Sequence, residues 1–220
     1  MPKTGGTTFS RVLERVARGE VLRDYDDIPL SNRPEHARQR QKAPDLTRLN
    51  AQQVPVVYGH FVLSKYLQLR GQVAFGAVFR EPTARIVSHY FHYRRNQGGP
   101  RNEILPAGLT LLDFAGLPKY CDMYRFLLGE VEVSELAYVG MTEDLPRSAK
   151  LLSAILTGTM PSDEVVELDR LNCATEYEDP IAYLRSEGVY EDVLAAQSVN
   201  RAIYAEARER FAELCSRYGI

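Results

Sequence analysis

Val73-Ala74-Phe75-Gly76-Ala77-Val78-Phe79-Arg80-Glu81-Pro82-Thr83-Ala84-Arg85-Ile86-Val87-Ser88-His89-Tyr90 decides the fold class. Val73 to Phe79 is apolar throughout, which reads as a strand buried on both faces. It stops at Arg80-Glu81-Pro82. A helix then runs to about Tyr93, with Pro82 acceptable in its first turn. A buried strand that delivers an arginine directly to a helix start is half of a βα unit.

Working outward, the same unit recurs. Val54 to Tyr58 reads as a short buried strand ending at Gly59-His60. Leu136 to Gly140 reads as a third strand, and Thr142-Glu143-Asp144 opens a helix to about Leu156 with acids at its positive end. Near the N-terminus, Phe9, Val12, Leu13, Val16 and Ala17 form one helical face, with Thr7 or Thr8 as the expected N-cap. Leu109 to Ala115 and Tyr120 to Leu128 read as helices, and Tyr190 to Tyr218 as one long helix. Arg23 to Gln53, with Pro29, Pro34, Pro44 and the basic cluster His36 to Lys42, reads as a long polar loop. Asp163 to Pro180 reads as irregular. Apolar strands alternating with helices imply an α/β parallel sheet covered on both faces, in one domain spanning residues 1–220. Ligands of such sheets bind at the carboxyl ends of the strands.

Composition narrows the function classes. The chain has 220 residues and a formal net charge of -2, which excludes general electrostatic capture of nucleic acid or anionic membrane. An anionic partner must be held by a local pocket. Cys121, Cys173 and Cys215 are odd in number and widely spaced, so reduced thiols and a cytoplasmic location are expected. No apolar run has the length of a membrane span, and Met1 to Gly6 lacks an export-signal core. No metal-ligand cluster is visible.

Pro2-Lys3-Thr4-Gly5-Gly6-Thr7-Thr8 has the makings of a phosphate cradle. Two glycines let backbone amides turn inward, a helix N-terminus behind them adds orphan N–H donors, and Lys3 adds a charge. It is not a Walker A loop, because the lysine precedes the glycines. The alternative is a glycine-rich helix entry that binds nothing. Arg80 offers a planar fork of donors, and Ser88 follows it by two helical turns. The alternative for Arg80 is a salt bridge with Glu81 or a solvated helix start. His60 could take a proton near neutrality, or could simply be structural.

Taken together, these segments resemble the sulfotransferases that use 3′-phosphoadenosine-5′-phosphosulfate (PAPS). The Pro2 to Thr7 form is most similar to the carbohydrate branch, which includes heparan sulfate 2-O-sulfotransferases and bacterial relatives. The resemblance implies a P-loop-NTPase-like parallel sheet flanked by helices. It implies that Lys3 contacts the bridging and sulfuryl oxygens and assists catalysis, and that the amides of Thr4, Gly5, Gly6, Thr7 and Thr8 hold the 5′-phosphate. Arg80 and Ser88 would share the 3′-phosphate. His60, in Gly59-His60-Phe61, matches the family's general base, so the resemblance implies transfer to a hydroxyl acceptor, a carbohydrate in that branch, with no metal. Tyr138 to Leu145 and Asn200 to Tyr204 resemble later segments of these enzymes, although an acid is expected at position 200.

One departure follows from the same resemblance. In the family an apolar strand precedes the phosphate loop and lies centrally in the sheet. Here the sequence opens at Met1, so that first strand is expected to be missing and its neighbours' edges exposed. Two other readings stay open: a small-molecule kinase, for which a Walker lysine is lacking, and a non-catalytic or truncated adenine-nucleotide-binding protein. Acceptor contacts are expected from Arg23 to Gln53 and from Gln97 to Pro106, while Arg94-Arg95 reads first as a solvated helix end and only second as a contact for an acidic acceptor.

Overall fold

The helical spacing of Phe9, Val12, Leu13 and Val16 is realised in the computed structural model, where all four are buried on helix α1 (Gly6–Val16). The structure describes residue 4 and residues 6–17, 21–25, 29–31, 34–41, 56–96, 106–159 and 179–220. Helix α1 starts at Gly6, so Thr7 and Thr8 lie inside its first turn and neither is the N-cap. Cys173 and most of the stretch expected to be irregular, 163–180, lie outside the described residues.

Among the described residues four short strands form: β1 (Val21–Asp24), β2 (Val56–Gly59), β3 (Gly76–Phe79) and β4 (Tyr138–Met141). β1 pairs with β2 in parallel, from Val21 beside Val56 to Asp24 beside Gly59. β3 pairs with β4 in parallel, from Gly76 beside Tyr138 to Phe79 beside Met141. The chain is therefore mixed α/β and mostly helical, with parallel strands as the apolar runs imply. The expected single sheet is not observed. Among the described residues there are two two-stranded sheets, and no described strand joins β2 to β3.

Helix α3 (Pro82–Arg95) follows β3 directly. Its start is fixed locally. Pro82 occupies the first turn, and the Glu81 carboxylate accepts the Ala84 N–H at 2.6 Å, also accepting the Thr83 hydroxyl. After β4, a 3₁₀ turn at Thr142–Asp144 leads into α7 (Leu145–Thr157), whose N-cap Asp144 accepts the Arg147 N–H at 3.3 Å. Ser148 of α7 reaches back to β4. Its hydroxyl accepts from the Met141 N–H at 2.8 Å and donates to the Met141 carbonyl at 3.0 Å. That bond pair satisfies backbone groups of β4 that would otherwise be buried and costly.

The polar stretch from 23 to 53 is not all loop. β1 overlaps its start, and α2 (Pro34–Gln41) lies within it. Buried Ser31 anchors α2: its hydroxyl lies 2.7 Å from His36 Nδ1, and its carbonyl accepts from Arg40 at 3.2 Å. Two apolar residues followed by Arg23 and Asp24 were too short a pattern to announce a strand.

Between β3 and β4 lie α4 (Leu111–Ala115), α5 (Pro118–Cys121) and α6 (Met123–Leu128). Thr110 and Asp113 form a reciprocal capping box at the start of α4. The C-terminal stretch has α8 (Pro180–Ser186), α9 (Tyr190–Ala196) and α10 (Ser198–Arg217), so the expected single helix from 190 to 218 is broken at Gln197. Gln197 and Asn200 are fully buried there. Gln197 donates to the Ala115 carbonyl at 3.1 Å. Asn200 accepts the Tyr124 N–H at 2.9 Å and donates to the Tyr120 carbonyl at 2.6 Å. The asparagine at position 200 is thus a cap for the short helices α5 and α6. The core lies where α7 and α10 pack on β4 and α1 packs on α7. Phe9 meets Tyr138 edge-on at 6.4 Å.

Candidate functional site

The strands carry their chemistry at their carboxyl ends. His60 follows β2 directly, and its N–H donates to the Asp24 carbonyl at the end of β1, at 3.0 Å. The two strands close tightly there: a Cβ on Gly59 would stand 1.6 Å from the Asp24 carbonyl oxygen. Only glycine fits, and this fixes where the chain turns into His60. The half-buried imidazole meets the Tyr25 ring edge-on at 5.1 Å, and Tyr25 meets Tyr58 at 6.4 Å. Burial, and then Tyr25, push the Tyr58 phenol well above its ordinary range, so it stays protonated.

Below His60 the chain enters a 3₁₀ turn, Leu63–Leu69. Lys65 and Tyr66 on that turn both donate to Asp24 Oδ2 at 2.7 Å. The Lys65 and Asp24 side chains are only 9% and 8% exposed. An ion pair this far from water is costly to build and is tolerated where both charges are also hydrogen-bonded.

Arg80 follows β3, half-buried. Its backbone is gripped on both sides by one phenol: the Tyr124 hydroxyl accepts the Arg80 N–H at 3.2 Å and donates to the Arg80 carbonyl. Beside it, Glu143 accepts the Glu81 N–H at 2.7 Å and the Tyr204 hydroxyl at 3.0 Å, while Thr142 donates to the Phe79 carbonyl at 2.9 Å. Burial and the Glu143 charge push the Tyr204 phenol upward. Ser88 lies two turns along α3 and is 8% exposed. One turn earlier, Arg85 is fully buried. It donates to Gln197 at 3.0 Å, to the Tyr120 carbonyl at 3.3 Å and to Met123 Sδ at 3.0 Å, and it lies 5.3 Å over the Tyr124 ring.

The sequence-derived candidates fare unequally. His60 and Arg80 both stand at carboxyl ends of parallel strands, one on each two-stranded sheet. Ser88 shares α3 with the segment that follows Arg80. Thr4 is buried ahead of α1. Gly6, Thr7 and Thr8 form the first turn of α1, and Phe9, one residue on, packs against β4. Lys3 and Gly5 lie outside the described residues.

Sequence reading missed Asp24, Tyr25, Lys65, Tyr66 and Tyr124. Asp24 and Lys65 are separated by most of the stretch read as loop, and no local spacing could announce their pairing. Tyr124 could have been noticed only as a polar tip in an apolar helix, which normally finds a partner when buried. Among the described residues no helix is long and apolar enough to cross a membrane, and no three His, Cys, Asp or Glu side chains converge as a metal-ligand group. Cys121 and Cys215 are unbridged.

Comparison of the chain with protein-family models, with curated proteins and with solved structures finds no match in any of the three.

Proposed function

We propose that this chain is a sulfotransferase with a P-loop-NTPase-like fold that moves a sulfuryl group from PAPS to a hydroxyl acceptor, a carbohydrate in the first instance. The observation that supports the reading is that His60 and Arg80 each follow the carboxyl end of a parallel strand, on separate two-stranded sheets, with the backbone of each pinned by a neighbouring element. That is where open α/β sheets bind ligands, and these residue types suit a proton acceptor and a phosphate anchor.

In this reading the donor supplies an activated sulfuryl group. The acceptor oxygen bonds to sulfur, the bond from sulfur to the 5′-phosphate oxygen breaks, and the hydroxyl proton passes to His60. Arg80 and Ser88 hold the 3′-phosphate. Lys3 and the amides of residues 4 to 8 neutralise the departing phosphate. Orientation and electrostatic stabilisation do most of the work, as in phosphoryl transfer.

The division of the strands into two pairs favours a second reading, an adenine-nucleotide-binding chain without turnover. One experiment separates the two. Calorimetry compares 3′-phosphoadenosine-5′-phosphate with ATP, and radiolabelled PAPS is offered with a panel of glycans. Binding of the bisphosphate with labelled glycan formed supports the transferase. Binding without transfer leaves the second reading. Preference for ATP overturns the transferase and leaves the second reading, and no binding of either nucleotide overturns both.

A further inference from the structure

Asp24 touches the His60 segment at both of its ends. Its carbonyl accepts the His60 N–H at 3.0 Å, ahead of the turn. Its carboxylate accepts from Lys65 and Tyr66 at 2.7 Å, beyond the turn. One residue of β1 therefore clasps the chain from 60 to 66. The approach is close enough that only glycine fits at position 59.

Stability alone is a poor reason for this arrangement. A buried ion pair generally contributes no more than apolar side chains of similar volume. Three hydrogen bonds converging on one residue instead fix geometry and local charge, which is what a group poised to move a proton needs. Among the described residues, the titratable groups gathered at this end of the sheet include Asp24 in β1, Tyr25 just beyond it, Tyr58 in β2, and Lys65 and Tyr66 on the 3₁₀ turn.

We propose that Asp24 is the positioning residue for His60, and that its ion pair with Lys65 sets the charge against which the imidazole gains and loses its proton. The assignment rests on the reading of His60 as the base, yet it can be tested without any nucleotide.

The chain has four histidines, so the imidazole C–H signals can be followed individually by NMR in the free protein, with His60 assigned from its loss in His60→Ala. Asp24→Asn removes the negative member and leaves Lys65 uncompensated. The imidazolium is then disfavoured and the His60 pKa falls. Lys65→Met leaves Asp24 uncompensated, and the His60 pKa rises. Each shift is expected to be at least about half a pH unit, opposite in sign, with His36, His89 and His92 unmoved. A purely structural pair would shift His60 in neither variant, or in the same direction in both, and either outcome overturns the proposal. If Asp24→Asn fails to fold, Lys65→Met decides alone, since it keeps the main-chain bond and the Tyr66 bond: a His60 pKa that does not rise there overturns the proposal. Opposite shifts without bisphosphate binding would leave the clasp standing and remove the sulfuryl reading. Bisphosphate binding without the shifts would do the reverse.

Discussion

The Tyr124 hydroxyl spans the two backbone polar groups of Arg80, accepting its N–H at 3.2 Å and donating to its carbonyl. A side chain from α6 thereby does what a third strand would do at the end of β3, and it does so with both halves of one O–H group. Tyr124 is itself fully buried, under the Arg85 guanidinium. Tyr124→Phe keeps the ring and removes both bonds. Stability should fall by about 1–2 kcal/mol. Urea denaturation of the two proteins, with m-values compared, checks this, and a loss indistinguishable from zero would mean that Arg80 is held by other contacts.

The same phenol predicts an alkaline limb. Burial, the largest influence, pushes Tyr124 up to about 12 from 10.0, even though Arg85 and the bond to Arg80 pull the other way. The folded pKa is raised, so the contribution is complete below the unfolded value and is lost as pH climbs towards the folded one. In that window the unfolded phenol ionises while the folded one does not, and stability declines by about 1.4 kcal/mol per pH unit for this group. Tyr138, also buried and shifted upward chiefly by that burial, adds to the same decline. Urea midpoints followed from neutrality into the tyrosine range should bend downward, and less steeply in Tyr124→Phe. A profile with the same slope in both proteins would remove Tyr124 from the account.

Gly59 and Gly116 make a matched pair. A Cβ at 59 would lie 1.6 Å from the Asp24 carbonyl, whereas at 116 its nearest neighbour is an ordinary 3.5 Å away and the backbone is already helical. Gly59→Ala must push β1 from β2 and should cost about 3 kcal/mol, with the His60 NMR signal displaced. Gly116→Ala should be neutral or stabilising by up to about 1 kcal/mol. Thermal melts of both variants are sufficient, and equal effects would contradict the close approach.

Arg85 is buried with neutral partners, and burial lowers its pKa despite the neighbouring tyrosines. Among the described residues its Nε has no hydrogen-bond partner. Arg85→Met retains the volume of the stem without the charge and should cost less than about 1 kcal/mol, while Arg85→Ala should cost about 3 kcal/mol through the cavity it leaves. A methionine variant as unstable as the alanine variant would show that the guanidinium bonds outweigh the desolvation.

At the proposed site, His60→Ala should depress sulfuryl transfer by roughly two to four orders of magnitude with bisphosphate binding unchanged. Arg80→Ala should instead weaken that binding, read by calorimetry. Normal turnover in the first variant, or unaltered affinity in the second, would remove the corresponding role.

Much of the local structure was legible before any coordinate. The helix after β3, the strand ending at His60, the strand ending near Gly140 and the α1 face follow from hydrophobic period and length. The run read from 73 to 79 as a strand buried on both faces is a strand only over Gly76–Phe79, with Val73 43% exposed, because an apolar run marks a segment without showing which of its residues find a pairing partner. Pro82 and Asp144 mark helix starts for reasons confined to a few residues, which is why Pro82 and the acids before α7 could be read directly. Thr7 and Thr8 misled because several positions near Gly5-Gly6 could cap, and hydrophobic period does not choose among them.

What the amino-acid order determined alone, then, is the place of β2, β3 and β4, of the helices with a marked apolar face such as α1, α3 and α7, and that His60 and Arg80 stand just beyond strand ends. Tertiary structure decided the rest. It made a strand of Val21 to Asp24 by pairing it with residues more than thirty positions on, broke the last helix at a buried Gln197, and brought Asp24 to Lys65 and Tyr124 to Arg80. Those choices depend on partners distant in the chain, and the energy of a hydrogen bond or ion pair is set by burial and geometry that no local window of residues contains.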